Sequence, residues 1–173
     1  MIFREIQFSD VKLLSDYRDS FSKKNEKIHG ALGLDVADDI SKWIEEKIAG
    51  KSTETMINKD FVPATTFLLT DDSNLAGITN VRHELNDYLL NYSGHIGYSV
   101  RSDYRRKGYA KLMLRMALKY CFNELRLEKV LVTCNSQNLA SEKVILSCGG
   151  KLENIIEGNG IFTKRFWIYK KED

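Results

Sequence analysis

The stretch Gly94-His95-Ile96-Gly97-Tyr98-Ser99-Val100-Arg101-Ser102-Asp103-Tyr104-Arg105-Arg106-Lys107-Gly108-Tyr109-Ala110 decides the fold. Residues 94–100 read as a strand, and Ser102-Asp103-Tyr104 as a turn. From Gly108 the apolar residues fall at helical spacing: Ala110, Leu112, Met113, Leu114, Met116, Ala117, Leu118, Tyr120 and Cys121. A helix apolar around so much of its surface is expected to be buried. Residues 129–134 follow as a short apolar strand. Strand, glycine turn, buried helix and strand make a βαβ unit, with a right-handed crossover and parallel strands.

The chain before this unit reads strand, helix, helix, strand, strand. Residues 3–8 alternate apolar and polar. Ser9 and Asp10 offer an N-cap to a helix carrying Val11, Leu13, Leu14, Tyr17 and Phe21. A second helix starts at Asp38 or Asp39, carries Ile40, Trp43, Ile44 and Ile48, and stops at Gly50. Residues 51–59 are polar loop. Strands are expected over 64–70 and 75–81, joined by the turn cluster of residues 71–74. Leu85, Leu89 and Tyr92 predict a short helix or ordered excursion within 82–93. After the unit come a helix over 138–147, ending at Gly149-Gly150, and strands over 151–157 and 162–169 across Gly158-Asn159-Gly160. The whole is α+β: one domain over residues 1–173, with a mixed central β-sheet flanked by helices on both faces.

Bulk composition excludes several classes. Residues of the hydrophobic set make up 43% and charged residues 29%, an ordinary globular balance. Net charge is +2, from 26 basic and 24 acidic residues, which argues against general binding to nucleic acid or a membrane surface. Cys121, Cys134 and Cys148 form no CxxC pair, and His29, His83 and His95 show no ligand spacing with them, so no metal is expected. The cysteines read as reduced, mostly buried thiols of a cytoplasmic protein. No apolar run approaches the roughly 18 residues of a membrane span.

The turn between strand and helix carries the chemistry. The first N–H groups of a helix lack intrahelical partners, and its dipole places partial positive charge there. Gly108 removes a Cβ that would obstruct a ligand, Ala110 keeps the next turn small, and Arg105, Arg106 and Lys107 add flexible positive charge at the rim. Such a turn takes a pyrophosphate. The same residues also fit a solvated basic turn with a capping glycine. The pattern is neither a Walker A loop nor GxGxxG.

In that context the chain resembles the GNAT acetyltransferase family, most strongly over residues 77–169. Arg105, Gly108 and Ala110 match the family's Gln/Arg-x-x-Gly-x-Gly/Ala signature, and Asn138-Leu139-Ala140-Ser141 with Gly149 match a second element. Residues 82–86 and 94–101 look like an uncharacterised bacterial branch. The resemblance implies acetyl-CoA as cofactor, its pyrophosphate held by the amides around Arg106, Lys107, Gly108, Tyr109 and Ala110, with Arg105 in the same cofactor site. It implies that Tyr98, Ser99 and Val100 pair with the pantetheine arm, and that Asn138 and Ser141 line the opposite side. The implied reaction is acetyl transfer to a primary amine of a small molecule or peptide, by direct attack in a ternary complex, with the Val100 amide as oxyanion donor. A homodimer is compatible with the resemblance.

One departure bears on catalysis. The family's tyrosine acid falls at Ile145, which has no proton to give. Substitutes are Tyr98, His95 and Glu84, with His83 behind them. Imidazole has the right ordinary pKa for work near neutrality, yet a histidine beside a strand also serves structure. Glu84 also fits a solvated carboxylate, and Tyr98 a packing role. Cys134, on an apolar strand with no histidine nearby in sequence, reads as a structural thiol. Ile145 leaves open a second reading, a CoA-binding sensor or interaction module without catalysis.

Overall fold

The computed structural model describes residues 1–71 and 73–171. Its elements run β1 (Ile2–Glu5), α1 (Val11–Ser22), α2 (Ile40–Ala49), β2 (Ala64–Thr70), β3 (Leu75–Arg82), β4 (Ile96–Val100), α3 (Tyr109–Asn123), β5 (Lys129–Asn135), α4 (Leu139–Ser147), β6 (Lys151–Gly158) and β7 (Ile161–Tyr169). The seven strands form one sheet in the order β1-β2-β3-β4-β5-β7-β6. All neighbours are antiparallel except β4 and β5, the two strands of the βαβ unit.

Helices cover both faces. On one, Leu14, Tyr17 and Phe21 of α1 and Trp43 and Ile44 of α2 pack on Leu68 and Ile78 of the sheet. On the other, Leu114, Ala117, Leu118 and Cys121 of α3 and Ile145 of α4 pack on Val81, Ile96, Val130, Val132 and Phe166. Each such large side chain contributes about 1.5–3 kcal/mol on burial. Local signals set the ends of the elements. The Asp39 carboxylate accepts the N–H groups of Ser41 and Lys42 at the start of α2, and Gly50 caps its end. Asn159 and Gly160, both at positive φ, turn β6 into β7.

The structure corrects three expectations, for the first strand, the Asp10 cap and the burial of the third helix, and refines a fourth, the excursion after β3. The opening strand ends at Glu5, because Arg4 pairs with the buried Asp10 at 2.6 Å and the chain curls into a 3-10 turn over Phe8–Asp10. Asp10 accepts the Gln7 N–H at 2.7 Å and makes no side-chain cap to α1. The ordered excursion after β3 contains a single π-type turn, Leu89–Ser93. Helix α3 is buried on one face only, with Leu112 and Met116 solvent-exposed on the other. Among the described residues no helix is long and apolar enough to cross a membrane.

Candidate cofactor cleft and acceptor face

The parallel ladder between β4 and β5 has one register pair, Ile96 with Val132. His95 closes it from behind: its N–H donates to Leu131 O at 2.8 Å, and its Nδ1 accepts the Leu131 N–H at 2.9 Å. Beyond Ile96 the two strands part. On its other edge β4 stays paired to β3 down its length, from Arg82 N–H donating to His95 O to Arg101 N–H donating to Ala76 O. Antiparallel alternation therefore gives Gly97 and Ser99 to β3 and turns the N–H groups of Tyr98 and Val100 into the gap.

The gap leads to the basic turn. Arg106 and Gly108 both have positive φ, and Gly108 is the N-cap of α3. The backbone N–H groups of Arg106, Lys107, Gly108, Tyr109, Ala110 and Lys111 have no acceptor among the described residues. A Cβ placed on Gly108 would meet nothing within 4 Å. Six free amides at a helix N-terminus, in front of open space, form an anion cradle. Arg105 differs from the flexible rim charge expected of it. Its Nε donates to Val100 O at 2.9 Å, its guanidinium pairs with Glu26, and it lies over the Phe21 ring. It fastens the turn to the end of β4, while Arg106 and Lys107 remain exposed.

Tyr98 crosses the gap. Its ring packs with the α3/α4 core, and its hydroxyl lies 2.9 Å from Ser141 Oγ near the start of α4. Burial pushes the phenol up to about 12. Asn138 caps α4 by accepting the Ser141 N–H at 3.1 Å. Ile145 is fully buried beneath this turn, and a Cβ at Gly150 would stand 2.5 Å from its Cγ2.

The other catalytic candidates lie elsewhere. His95 is 5% exposed, with its pKa lowered to about 4 by burial, so the ring is neutral and its Nδ1 engaged. His83 bonds Thr65 Oγ1 at 2.8 Å beside the Tyr120 ring. Glu84 is exposed on the bend after β3, without a hydrogen bond or ion pair among the described residues. Cys134 is buried in the α3/α4 core, and burial raises its thiol to about 11.

The opposite face of β4 presents Gly97 and Ser99 to α1 and to the loop between α1 and α2. Buried Tyr17 donates to Ser99 O at 2.9 Å, and Ser99 Oγ donates to His29 O at 2.7 Å. Gly30, at φ +74°, lies directly on the Gly97 backbone, where its missing Cβ would overlap the Gly97 carbonyl. Ser99 therefore turns its side chain away from the α3/α4 side. Sequence reading missed Tyr17, His29 and Gly30, since a helical tyrosine and a loop glycine carry no motif.

A family model described as an acetyltransferase (GNAT) domain matches residues 2–151. The chain belongs to the GNAT acetyltransferase family. A curated relative, the uncharacterized N-acetyltransferase YnaD of Bacillus subtilis (strain 168), is 26% identical over 91 residues, which is 50% of this chain and 54% of that protein. The match thus spans about half the length of that relative. Among solved structures, a mutant spermidine N-acetyltransferase from Vibrio cholerae superposes with TM-score 0.67 at 19% identity, covering 98% of this chain and 95% of that one. The ribosomal-protein-S5-alanine acetyltransferase of Vibrio fischeri gives TM-score 0.75 at 15% identity, covering 96% and 91%. At these identities the likeness is one of fold.

Proposed function

We propose that the protein is an N-acyltransferase that moves an acetyl group from acetyl-CoA to a primary amine of a small-molecule or peptide acceptor. The observation that carries this reading is the run of six free amides at the start of α3, opening onto the gap between β4 and β5. The amides of Arg106, Lys107, Gly108, Tyr109 and Ala110 hold the pyrophosphate, with Arg106 and Lys107 adding charge and Arg105 fixing the turn. The pantetheine arm pairs with the free edge of β4 at Tyr98 and Val100, beside Ser99, and Asn138 and Ser141 border its other side.

The acetyl thioester then lies in the gap, α3 and α4 behind it and the Gly97 face of β4 before it. A neutral amine from that face attacks the carbonyl carbon. The Val100 N–H takes the developing oxyanion, as such donors do in acyl transfer. The C–S bond breaks, the thiolate takes a proton from the Tyr98 hydroxyl, the new amide loses its extra proton to water, and the Tyr98 phenolate takes one back from water. Tyr98 thus replaces the tyrosine that Ile145 displaces, and it stays protonated throughout the neutral range. His95 is given a ladder-closing role, since its Nδ1 is bonded and its ring neutral. Glu84, exposed on its bend, is given none.

The test is a titration with acetyl-CoA and with ATP, followed by thiol release over an amine panel. Binding of acetyl-CoA alone, with turnover of at least one amine, supports the reading. Binding of ATP in its place overturns it. Ile145 favours one alternative, a CoA-binding module without catalysis, and acetyl-CoA binding without turnover of any amine is its signature.

A further inference from the structure

Arg82 ends β3 on the acceptor face, beside the point where β4 and β5 part. Its guanidinium is half-buried, and Nη1 donates to Ser93 O at 3.1 Å and Gly94 O at 3.0 Å. Four other arginines are partly or fully buried, namely Arg4, Arg18, Arg101 and Arg165, and each has a carboxylate partner. Among the described residues Arg82 has none. Among the described residues its Nη2 and Nε make no hydrogen bond, and neither atom is fully sealed from solvent, which leaves a two-donor edge unpaired. Nη2 lies 3.5 Å from where a Cβ on Gly97 would stand, close against β4.

A withdrawn, unpaired cation is costly to keep unless it meets an anion in use. A guanidinium edge with two free N–H groups matches a carboxylate in bidentate geometry. Gly97 and Tyr98 are consecutive on β4, with Cα atoms about 3.8 Å apart, so this edge stands at the Tyr98 end of the gap. We propose that Arg82 binds the carboxylate of the acceptor and that the acceptor is an amino acid, held with its amine toward the gap at Tyr98 and Val100. A polyamine brings a second ammonium instead, which this guanidinium repels. The inference rests on the acetyl-CoA reading above.

The experiment measures acetyl-CoA-dependent thiol release with pooled L-amino acids, with the corresponding pooled amino-acid amides, and with spermidine. It uses the wild type, Arg82→Gln and Arg82→Lys, and acetyl-CoA affinity is measured for each protein by calorimetry. The wild type is expected to prefer acids over amides by about tenfold or more. Arg82→Gln raises KM for the acids by a similar factor, leaves acetyl-CoA affinity unchanged and abolishes the preference. Arg82→Lys keeps the charge and the contacts to Ser93 and Gly94 but loses the fork, so its KM falls between the two. If Arg82→Gln does not fold, the wild-type comparison and Arg82→Lys still decide. Equal or faster turnover of amides or spermidine, a preference that survives in Arg82→Gln, or binding of acetyl-CoA with no turnover of the acids overturns the inference. Failure of the wild type to bind acetyl-CoA instead overturns the cofactor reading beneath it.

Discussion

The hydroxyl of Tyr98 on β4 and the hydroxyl of Ser141 on α4 lie 2.9 Å apart, joining residues 43 positions apart in the chain. The pair spans the opening between the two halves of the sheet, where β4 and β5 no longer bond one another. Ile145, four residues after Ser141 on the same helix, is fully buried at the position where the family resemblance expects a tyrosine. A phenol carried by the strand thus reaches the start of α4.

Tyr98→Phe tests that substitution of roles. The variant keeps the ring and its packing and loses the proton. Turnover is expected to fall about 10²-fold, the low end of general acid contributions, while acetyl-CoA affinity changes little. Ser141→Ala leaves the phenol in place without its partner and should cost less. Undiminished kcat in Tyr98→Phe removes Tyr98 from proton transfer and leaves it a packing residue.

His95 makes stability depend on pH. Its pKa is about 4 folded, held down by burial, against about 6.5 unfolded. Between those values the unfolded chain binds the extra proton, so stability rises with pH through the window and is complete above it. The lost stability at pH 4 is on the order of 3 kcal/mol for this group. His83, lowered by burial too, adds a slope of the same sign. Urea unfolding at pH 7 and pH 5 measures the effect, and His95→Gln should flatten the slope. A wild type equally stable at both values contradicts the assignment of His95 as a neutral, Leu131-bonded residue.

Much of the fold was readable from local chemistry. Asp39 and Gly50 bracket α2 as their types require, and Asn159-Gly160 places the last hairpin. The strand-turn-helix order around Gly108 located the run of unpaired amides, because a helix start must leave amides free wherever it occurs. The remainder depended on partners distant in sequence. No alternation rule shows that β4 and β5 share a single register pair, or that an imidazole ring takes the Leu131 N–H where the ladder stops. Arg105 has the sequence context of mobile charge, since Glu26 and Val100 O come to it only in three dimensions. The early end of β1 follows from the Arg4–Asp10 pair, which pulls the chain out of extended form while the apolar pattern continues to Phe8. What marks Arg82 is the lack of a carboxylate partner among the described residues, and a sequence cannot display that.

Gly30→Ala probes the loop over the acceptor face. The added Cβ meets the Gly97 backbone, whose carbonyl carbon would lie 2.7 Å away, and the residue must also hold φ +74°. Backbone has little room to yield there, so a loss of about 2–4 kcal/mol is expected. Acetyl-CoA affinity should hold, since the cradle lies on α3, while KM for the amine rises. A urea midpoint within roughly 0.5 kcal/mol of wild type would show that the loop does not seat on β4 in solution.

Calorimetric titration of acetyl-CoA into the wild type and into Gly108→Glu asks whether the amides at the start of α3 hold the cofactor. The glutamate side chain enters the open space before the six free amides and sets a negative charge against the pyrophosphate, while the fold absorbs about 1–2 kcal/mol of strain at φ +84°. The account predicts micromolar-range binding by the wild type and none by a folded Gly108→Glu. A folded variant that binds as tightly as the wild type, or a folded wild type that does not bind at all, contradicts it.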